Sequence, residues 1–388
     1  MITFWAGALA LSLLLYVLLD GFDLGIGMLF PFAPSERVRR HMLSSISPIW
    51  DGNETWLVVA GTTLFGAFPL VYAIVVSAFY LPIILMLVAL ILRGVAFEFR
   101  YKAIPGMRRV WDAGFVLGSF VATFVQGTAV GALVAELPVE NGRFVGGPLF
   151  WFQPLALACG VGLCIGYALM GACWLVAKSE GGTRDFGYRV MPRLGAALLV
   201  FLVTAFAVAI ARHFQVMDRW VDRPILAIFP IVGIVAGGAM VWAWRNRRDR
   251  WLFACASAIF ASAFGTLAVS FLPFMVPFTI TIEQAASPHS SLTFMFWGAG
   301  IIVLPLTLFY TAAVYWIFRG KIDDLGYEEA DEVRPTREDG GSGSGDVATP
   351  ATAAHHRAGE RVASTLSFAA LVTLSLGAVL RRRSKDHA

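Results

Sequence analysis

Residues 3–29 read TFWAGALALSLLLYVLLDGFDLGIGML, an apolar run long enough to cross a hydrocarbon core of about 30 Å. Two carboxylates interrupt it, Asp20 and Asp23. A carboxylate inside an apolar helix is costly to desolvate, so it is by default a candidate for an ion or proton pathway. A second acidic segment, Trp50-Asp51-Gly52-Asn53-Glu54-Thr55-Trp56, opens another apolar run. Within each pair the acids are three residues apart, which places Asp20 with Asp23, and Asp51 with Glu54, on one helix face. Two such faces on consecutive helices point to a proton path.

The rest of the chain has the same character. It is 58% hydrophobic and 14% charged, with a mean hydropathy of +0.71, where soluble domains carry roughly 25% charged residues. Nine apolar stretches reach spanning length, near 3–29, 52–74, 75–98, 111–134, 152–177, 194–211, 224–243, 251–275 and 292–318. Period-2 alternation is missing, so a closed barrel is excluded and helices must satisfy the backbone in lipid. The expected fold is an all-α polytopic membrane protein with nine transmembrane helices.

The net charge of +4 is no nucleic-acid signal, because the basic residues are partitioned among the connections. One set of alternate connections carries 15 Lys and Arg, the other 4. The positive-inside rule then sets the N-terminus outside and the end of helix nine, with Arg319 and Lys321, in the cytoplasm. Met1 runs into the first apolar stretch without a basic n-region, so no cleavable leader is expected.

Residues 1–322 form the expected membrane domain. From 323 to 361 the chain turns acidic and then rich in Gly, Ser, Ala and Thr, which reads as a flexible cytoplasmic linker. Residues 362–388 form an apolar and basic tail ending in Arg381-Arg382-Arg383 and beyond. Its run 362–380 fits a tenth span or an interfacial helix, and spanning would set three arginines outside, against the charge bias. Cys159, Cys164, Cys173 and Cys255 all fall in apolar runs without metal spacing and read as packing residues. Gly21, Gly25 and Gly27 form a small-residue stripe on the first helix, and Gly61 with Gly66 a second one, of the kind that lets helices approach closely. Pro69, Pro82, Pro273, Pro277 and Pro305 mark helix ends or kinks.

With this orientation, Asp20 and Asp23 lie in the inner half of helix one, and Asp51 and Glu54 near the cytoplasmic end of helix two. Glu98, Arg100 and Asp112 reach the same side. The acids therefore converge where protons from the cytoplasm would arrive. The plainer reading is structural: Asp51 as an N-cap, both helix-two acids favoured by the helix dipole, and Glu98 paired with Arg93 or Arg100. For Asp20 and Asp23 no capping role exists. The six histidines, His41, His213, His289, His355, His356 and His387, all fall outside mid-helix positions. Haem takes His, Met or Cys as axial ligand, so this chain is expected to hold no haem and no metal itself.

The motif Asp20-Gly21-Phe22-Asp23-Leu24-Gly25, followed by Trp50-Asp51-Gly52-Asn53-Glu54-Thr55-Trp56-Leu57, resembles subunit II of bd-type quinol oxidases. Leu64-Phe65-Gly66-Ala67-Phe68-Pro69, Arg93-Gly94-Val95-Ala96-Phe97-Glu98-Phe99-Arg100, Trp111-Asp112, Phe271-Leu272-Pro273-Phe274, Tyr310-Thr311 and Tyr315-Trp316 fit the same family. The likeness covers residues 1–322, and its Arg93–Arg100 and Trp50–Trp56 forms look closest to the cyanide-insensitive branch. It implies two four-helix bundles plus one helix, in the bacterial inner membrane, paired with a subunit I that carries the haems and the quinol site. Dioxygen is then reduced to water with cytoplasmic protons, while subunit II supports assembly and helps deliver them. The family's acidic path residue maps to Asp51, with Asp20, Asp23 and Glu54 beside it. Trp50, Asn53, Trp56, Arg93, Glu98, Arg100 and Asp112 would form the supporting network. A structural quinone and a small single-helix accessory subunit are further implications of the resemblance.

Two other functions compete. A stand-alone proton-coupled transporter requires a midplane site with broken helices, whereas the acids here cluster towards one side. A purely structural scaffold requires that the acids only cap helices and pair with arginines.

Overall fold

The computed structural model describes residues 1–211 and 224–322. Helix α1 (Ile2–Leu29) runs into a 3-10 turn at Phe30–Phe32 and the short loop helix α2 (Glu36–Ile46). Helices α3 (Trp50–Ala67), α4 (Pro69–Lys102) and α5 (Pro105–Val134) complete the first half. A hairpin of β1 (Val139–Glu140) and β2 (Arg143–Phe144) precedes α6 (Pro154–Lys178) and α7 (Gly181–Ala211). Then come α8 (Ile228–Arg245), α9 (Asp249–Phe271), the hairpin β3 (Phe274–Val276) with β4 (Ile280–Thr281), and the single turn α10 (Ile282–Ala285). The last stretch is α11 (His289–Met295), a π-helical turn at Phe296–Gly300 and α12 (Val303–Ile317).

Among the described residues, eight helical stretches are long and apolar enough to cross a membrane. The chain is thus a polytopic all-α membrane protein. The expected span not among the eight is the second, 52–74, which falls on α3. Its 18 residues reach about 27 Å, and its first two turns are spent on Asp51, Asn53 and Glu54. The expected linker 323–361 and tail 362–388 lie outside the described residues.

Several boundaries differ from the hydropathy reading, each for a local reason. The break between the second and third apolar runs falls at Phe68, not at 74–75, because Pro69 opens α4, a position where its missing N–H costs nothing. Inside α4 the backbone leaves helical angles at Phe79 (φ −118°, ψ 22°). Pro82 lies three residues on, and its ring excludes the carbonyl one turn back. The same exclusion by Pro305 falls on Ile301, where the π-turn ends and α12 has yet to begin. Residues 181–193, expected as a basic loop, are instead the first turns of α7. They are anchored by buried Phe186, Tyr188 and Met191 and by an Arg184 fork on Asp249 (2.9 Å for both bonds).

Helix α1 is the axis of the fold. It packs on α3 and α5 to one side and on α6 and α9 to the other. Helix α4 lies on α5, α6 on α7 and α9, and α8 on α9, and the set α1/α3/α4/α5 packs on the set α6/α7/α8/α9 through both α1–α6 and α5–α6. The α1–α6 approach depends on glycine. A Cβ at Gly25 would stand 1.8 Å from the Tyr167 carbonyl oxygen, and one at Gly171 would stand 2.7 Å from the Gly25 carbonyl carbon. This is the close approach foreseen from the α1 stripe. On α3 only Gly66 has such a neighbour, Met295, while Gly61 faces open space. The outward faces of α7, α8 and α12 are apolar and exposed, with Val200, Ile234 and Phe309 as examples, as lipid contact requires.

The chain after α12 is tied down. Asp249, at the start of α9, accepts hydrogen bonds from Arg184, from the Tyr188 hydroxyl (2.7 Å) and from Lys321 Nζ (2.7 Å). Lys178 donates to the carbonyls of Phe318 and Gly320, and Ile322 N–H donates to the Lys178 carbonyl at 2.8 Å.

Candidate functional site

The two acids of α1 are fully buried, and each has a different partner. Arg93, itself 1% exposed and on α4, donates from Nη1 to Asp20 Oδ1 at 2.7 Å. Asn53, buried on α3, donates from Nδ2 to Asp23 Oδ2 at 2.7 Å and to the Leu19 carbonyl at 3.2 Å. Its Oδ1 accepts from the Tyr315 hydroxyl of α12 at 2.9 Å. Three helices therefore meet on one polar chain, Tyr315 to Asn53 to Asp23, and α4 joins them through the Asp20–Arg93 pair beside it.

Charge and satisfaction are incomplete in this chain. Arg93 neutralises Asp20, while Asp23 receives only a neutral amide. Asp20 Oδ2, Asp23 Oδ1, Arg93 Nη2 and the Tyr167 hydroxyl are buried without a protein partner. Buried polar atoms in native proteins are nearly always hydrogen-bonded, and a group of orphans in one place is a setting for ordered water. Nearby, Gln126 donates to the Tyr16 hydroxyl at 2.7 Å, which adds a polar flank from α5.

The supporting residues divide. Trp56 is fully buried with Nε1 unpaired, and Trp50 is half-buried with its ring 6.0 Å from the Arg93 guanidinium. Glu54 is half-buried, but Asp51 and Glu98 are exposed. The Asp51–Glu54 face expected from spacing is thus split between the interior and the outer surface of α3. The expected pairing of Glu98 with Arg93 or Arg100 does not form, because Glu98 points outward and both arginines have other partners. Arg100 donates to Glu36 of α2 at 2.9 and 3.1 Å and to Asp112 of α5. Arg39 joins this group at 3.9 Å from Glu36 and 4.0 Å from Asp112.

The polar centres are thus two. Between them lies a layer of rings: Phe30 against Phe115 (5.4 Å), Phe97 against Phe115 (5.9 Å) and Trp50 against Phe97 (5.3 Å). Sequence reasoning missed Glu36, Tyr16, Gln126, Tyr167 and Tyr315 as members of these centres. Glu36 carried a signal, since Ser35-Glu36 opens an amphipathic stretch and Ser35 caps α2 through the Val38 N–H at 3.3 Å. The others are single polar groups on apolar helices, and only packing reveals that they converge.

A surface cleft reaches the deeper centre. It lies between the start of α3 and α12, is lined by Pro48, Gly52, Tyr310 and Thr311, and ends on Asn53 and Tyr315. Its empty volume, mouth included, is about 210 Å³. No His, Cys or Met lines it. Among the described residues no group of three or more His, Cys, Asp or Glu is placed to hold a metal ion. His41 is buried in α2 beside Thr183, with 3.4 Å between Nδ1 and Oγ1.

Comparison with known proteins converges on one family. Residues 1–318 match the family described as cytochrome bd terminal oxidase subunit II. The chain is 30% identical to cytochrome bd-I ubiquinol oxidase subunit 2 of Escherichia coli (strain K12), over 82% of this chain and 94% of that protein. It is 27% identical to cytochrome bd ubiquinol oxidase subunit 2 of Bacillus subtilis (strain 168), over 82% and 96%. The fold superposes on a chain of the bd oxidase from Geobacillus thermodenitrificans with a TM-score of 0.66 at 16% identity, covering 82% of this chain and 97% of that one. A stand-alone transporter finds no support in these matches. The chain belongs to the cytochrome bd terminal oxidase subunit II family and is the second subunit of a quinol oxidase, a multi-pass protein of the inner membrane whose family implies a partner, subunit I.

Proposed function

We propose that this subunit delivers cytoplasmic protons toward the site of oxygen reduction and supports assembly of the haem-bearing subunit I. The observation that carries this is the polar chain inside the bundle. A fully buried acid, Asp23, hangs on Asn53 and Tyr315 beside a buried Asp20–Arg93 pair. Asp23 is the carboxyl that no buried cation neutralises in a direct bond, which makes it the group with a proton to exchange. Glu54 stands next to this centre, and Asp51 lies on the outer surface of α3, where a carboxylate on a spanning segment is costly unless a partner covers it. In this reading Asp51 works at the contact with subunit I.

The orientation follows from the basic connections. The end with Arg100, Arg39, Arg184 and Lys321 faces the cytoplasm, and the N-terminus faces outward. The haems belong to subunit I, where the chemistry of oxygen reduction takes place. This chain's part is to bind that subunit, exclude bulk water and move protons along its own carboxyls. The same reading takes in quinone as a structural lipid-phase ligand and a small single-helix accessory subunit as a further partner. Neither has a residue assigned to it in this chain.

The test is Asp23→Asn in the purified two-subunit oxidase. Asparagine is close in shape and keeps the hydrogen bond to the amide but carries no exchangeable carboxyl proton. The expected result is quinol-driven oxygen consumption slowed about a hundredfold, the lower range for losing a proton-transfer group, with haem content unchanged. Unchanged turnover sinks the proton-delivery role and leaves the assembly role.

A further inference from the structure

We propose that the acidic run Asp323-Asp324-Leu325-Gly326-Tyr327-Glu328-Glu329 docks on the loop helix α2, where Arg37 and Arg40 receive its carboxylates. The docking surface is independent of proton delivery and stands or falls by itself.

The direction of the chain after α12 points there. Ile322 forms a parallel bridge with Ser179, through the bond from its N–H to the Lys178 carbonyl. Lys321 on Asp249, and Lys178 on the carbonyls of Phe318 and Gly320, fix the same few residues. A parallel partner advances about 3.3 Å per residue in the same sense. The chain leaving Ile322 is therefore aimed past Glu180, whose carboxylate is drawn to Lys321 at 3.9 Å, to the start of α7 at Gly181. Helix α2 lies against that start. A Cβ on Gly182 would meet Val38 Cγ2 at 3.8 Å, and Thr183 Oγ1 is 3.4 Å from His41 Nδ1.

The charges on α2 complement the run. Val38 and His41 are buried toward α7, while Arg37 is exposed and Arg40 half-buried. Arg37 and Arg40 are three residues apart and share one face. Arg39 lies on the opposite flank, near Glu36 and Asp112. Against the Arg37–Arg40 face the run brings four carboxylates in seven residues. Fully extended, seven residues reach at most about 24 Å, and the 11 residues of α2 measure about 16 Å, so the run can lie along the whole helix. Exposed ion pairs are individually weak. A segment tethered a few residues away meets its partner at a high effective concentration, and this advantage favours the chain's own carboxylates over anionic lipid headgroups.

The test is cross-linking in the purified two-subunit oxidase in nanodiscs. Ser44→Cys, one turn beyond Arg40 on α2, and Gly326→Cys in the acidic run leave every charge in place. The native cysteines are buried or half-buried in α6 and α9, so a short bismaleimide should join residues 44 and 326. Adding Arg37→Glu with Arg40→Glu should slow the cross-link about tenfold, as exposed attraction becomes repulsion. Asp324→Lys with Glu328→Lys in that background should restore most of the rate. Salt at about 1 M, where the Debye length is about 3 Å, should slow the unreversed protein in the same way. If the reversed variants fail to assemble, Arg37→Gln with Arg40→Gln is read against the same salt series. A rate indifferent to both reversals and to salt reports chance encounters of a tethered segment and overturns the docking. A cross-link that forms in neutral-lipid nanodiscs but is lost when phosphatidylglycerol is included assigns the face to headgroups and overturns it equally.

Discussion

Arg93 and Asp20 are 73 residues apart in sequence and 2.7 Å apart in space, and neither has measurable exposure beyond 1%. They join α4 to α1 across the centre of the first helix set. Removing one partner of a buried pair strands the other charge, at a cost of about 3–5 kcal/mol. Arg93→Leu should therefore lower the thermal midpoint of the detergent-solubilised complex sharply, and Arg93→Leu with Asp20→Leu should recover part of the loss. A double variant no more stable than the single one would show that the pair does not act as a unit.

The α1–α6 crossing has no slack. A side chain at Gly25 meets the Tyr167 backbone, which cannot swing aside as a flexible side chain would. Gly25→Val is expected to abolish accumulation of the assembled oxidase in membranes, read by immunoblot and haem absorbance. Gly7→Ala on the same helix, whose Cβ meets nothing within 4 Å, should accumulate normally. Equal levels for the two would refute the packing argument.

Asp51 separates a functional from a structural acid. It is exposed and holds nothing inside the subunit by its side chain, so Asp51→Asn should change stability by no more than about 0.5 kcal/mol. Oxygen consumption should nonetheless fall several-fold or more at full haem content, as expected where a proton-transferring group is lost. Full activity would return Asp51 to the role of a helix-start residue.

Arg100 clamps the loop helix. Its bonds to Glu36 and Asp112 are between charged groups, each worth about 1.5–3 kcal/mol when not screened, and the half-exposed Glu36 brings the total down. Arg100→Gln should leave α2 open to trypsin at Arg37, Arg39 and Arg40 while turnover falls less than in Asp23→Asn. A loss of turnover as deep as that of Asp23→Asn would mean that the cytoplasmic clamp belongs to the proton path.

The sequence announced the membrane class, the long helices and the family through local signals. Apolar run length is set by the bilayer, and the Asp20–Gly25 and Trp50–Leu57 motifs are contiguous. It also singled out Asp20, Asp23, Asn53 and Arg93, which the fold brings together. What it could not show was which way a helix turns. Spacing placed Asp51 and Glu54 on one face, yet the rotation of α3 exposes the first and half-buries the second. Glu98 was open to pairing with either arginine until the rotation of α4 turned it outward. Tyr315 was one aromatic among many, because its role depends on α12 lying against α3. Boundaries slipped where proline, rather than hydropathy, ended a helix, as at Phe68–Pro69.

The polar chain also has an order in time. Asp20, Asp23 and Asn53 leave the ribosome early, whereas the hydroxyl that engages Asn53 comes from residue 315, in the last described helix. Until then the Asn53 carbonyl oxygen lacks its donor within a segment bound for the bilayer, where an unsatisfied polar group is costly. The Lys321 and Lys178 ties that hold the chain beyond α12 form later still. A product that stops short of α12 thus leaves the Asn53 carbonyl oxygen without that donor.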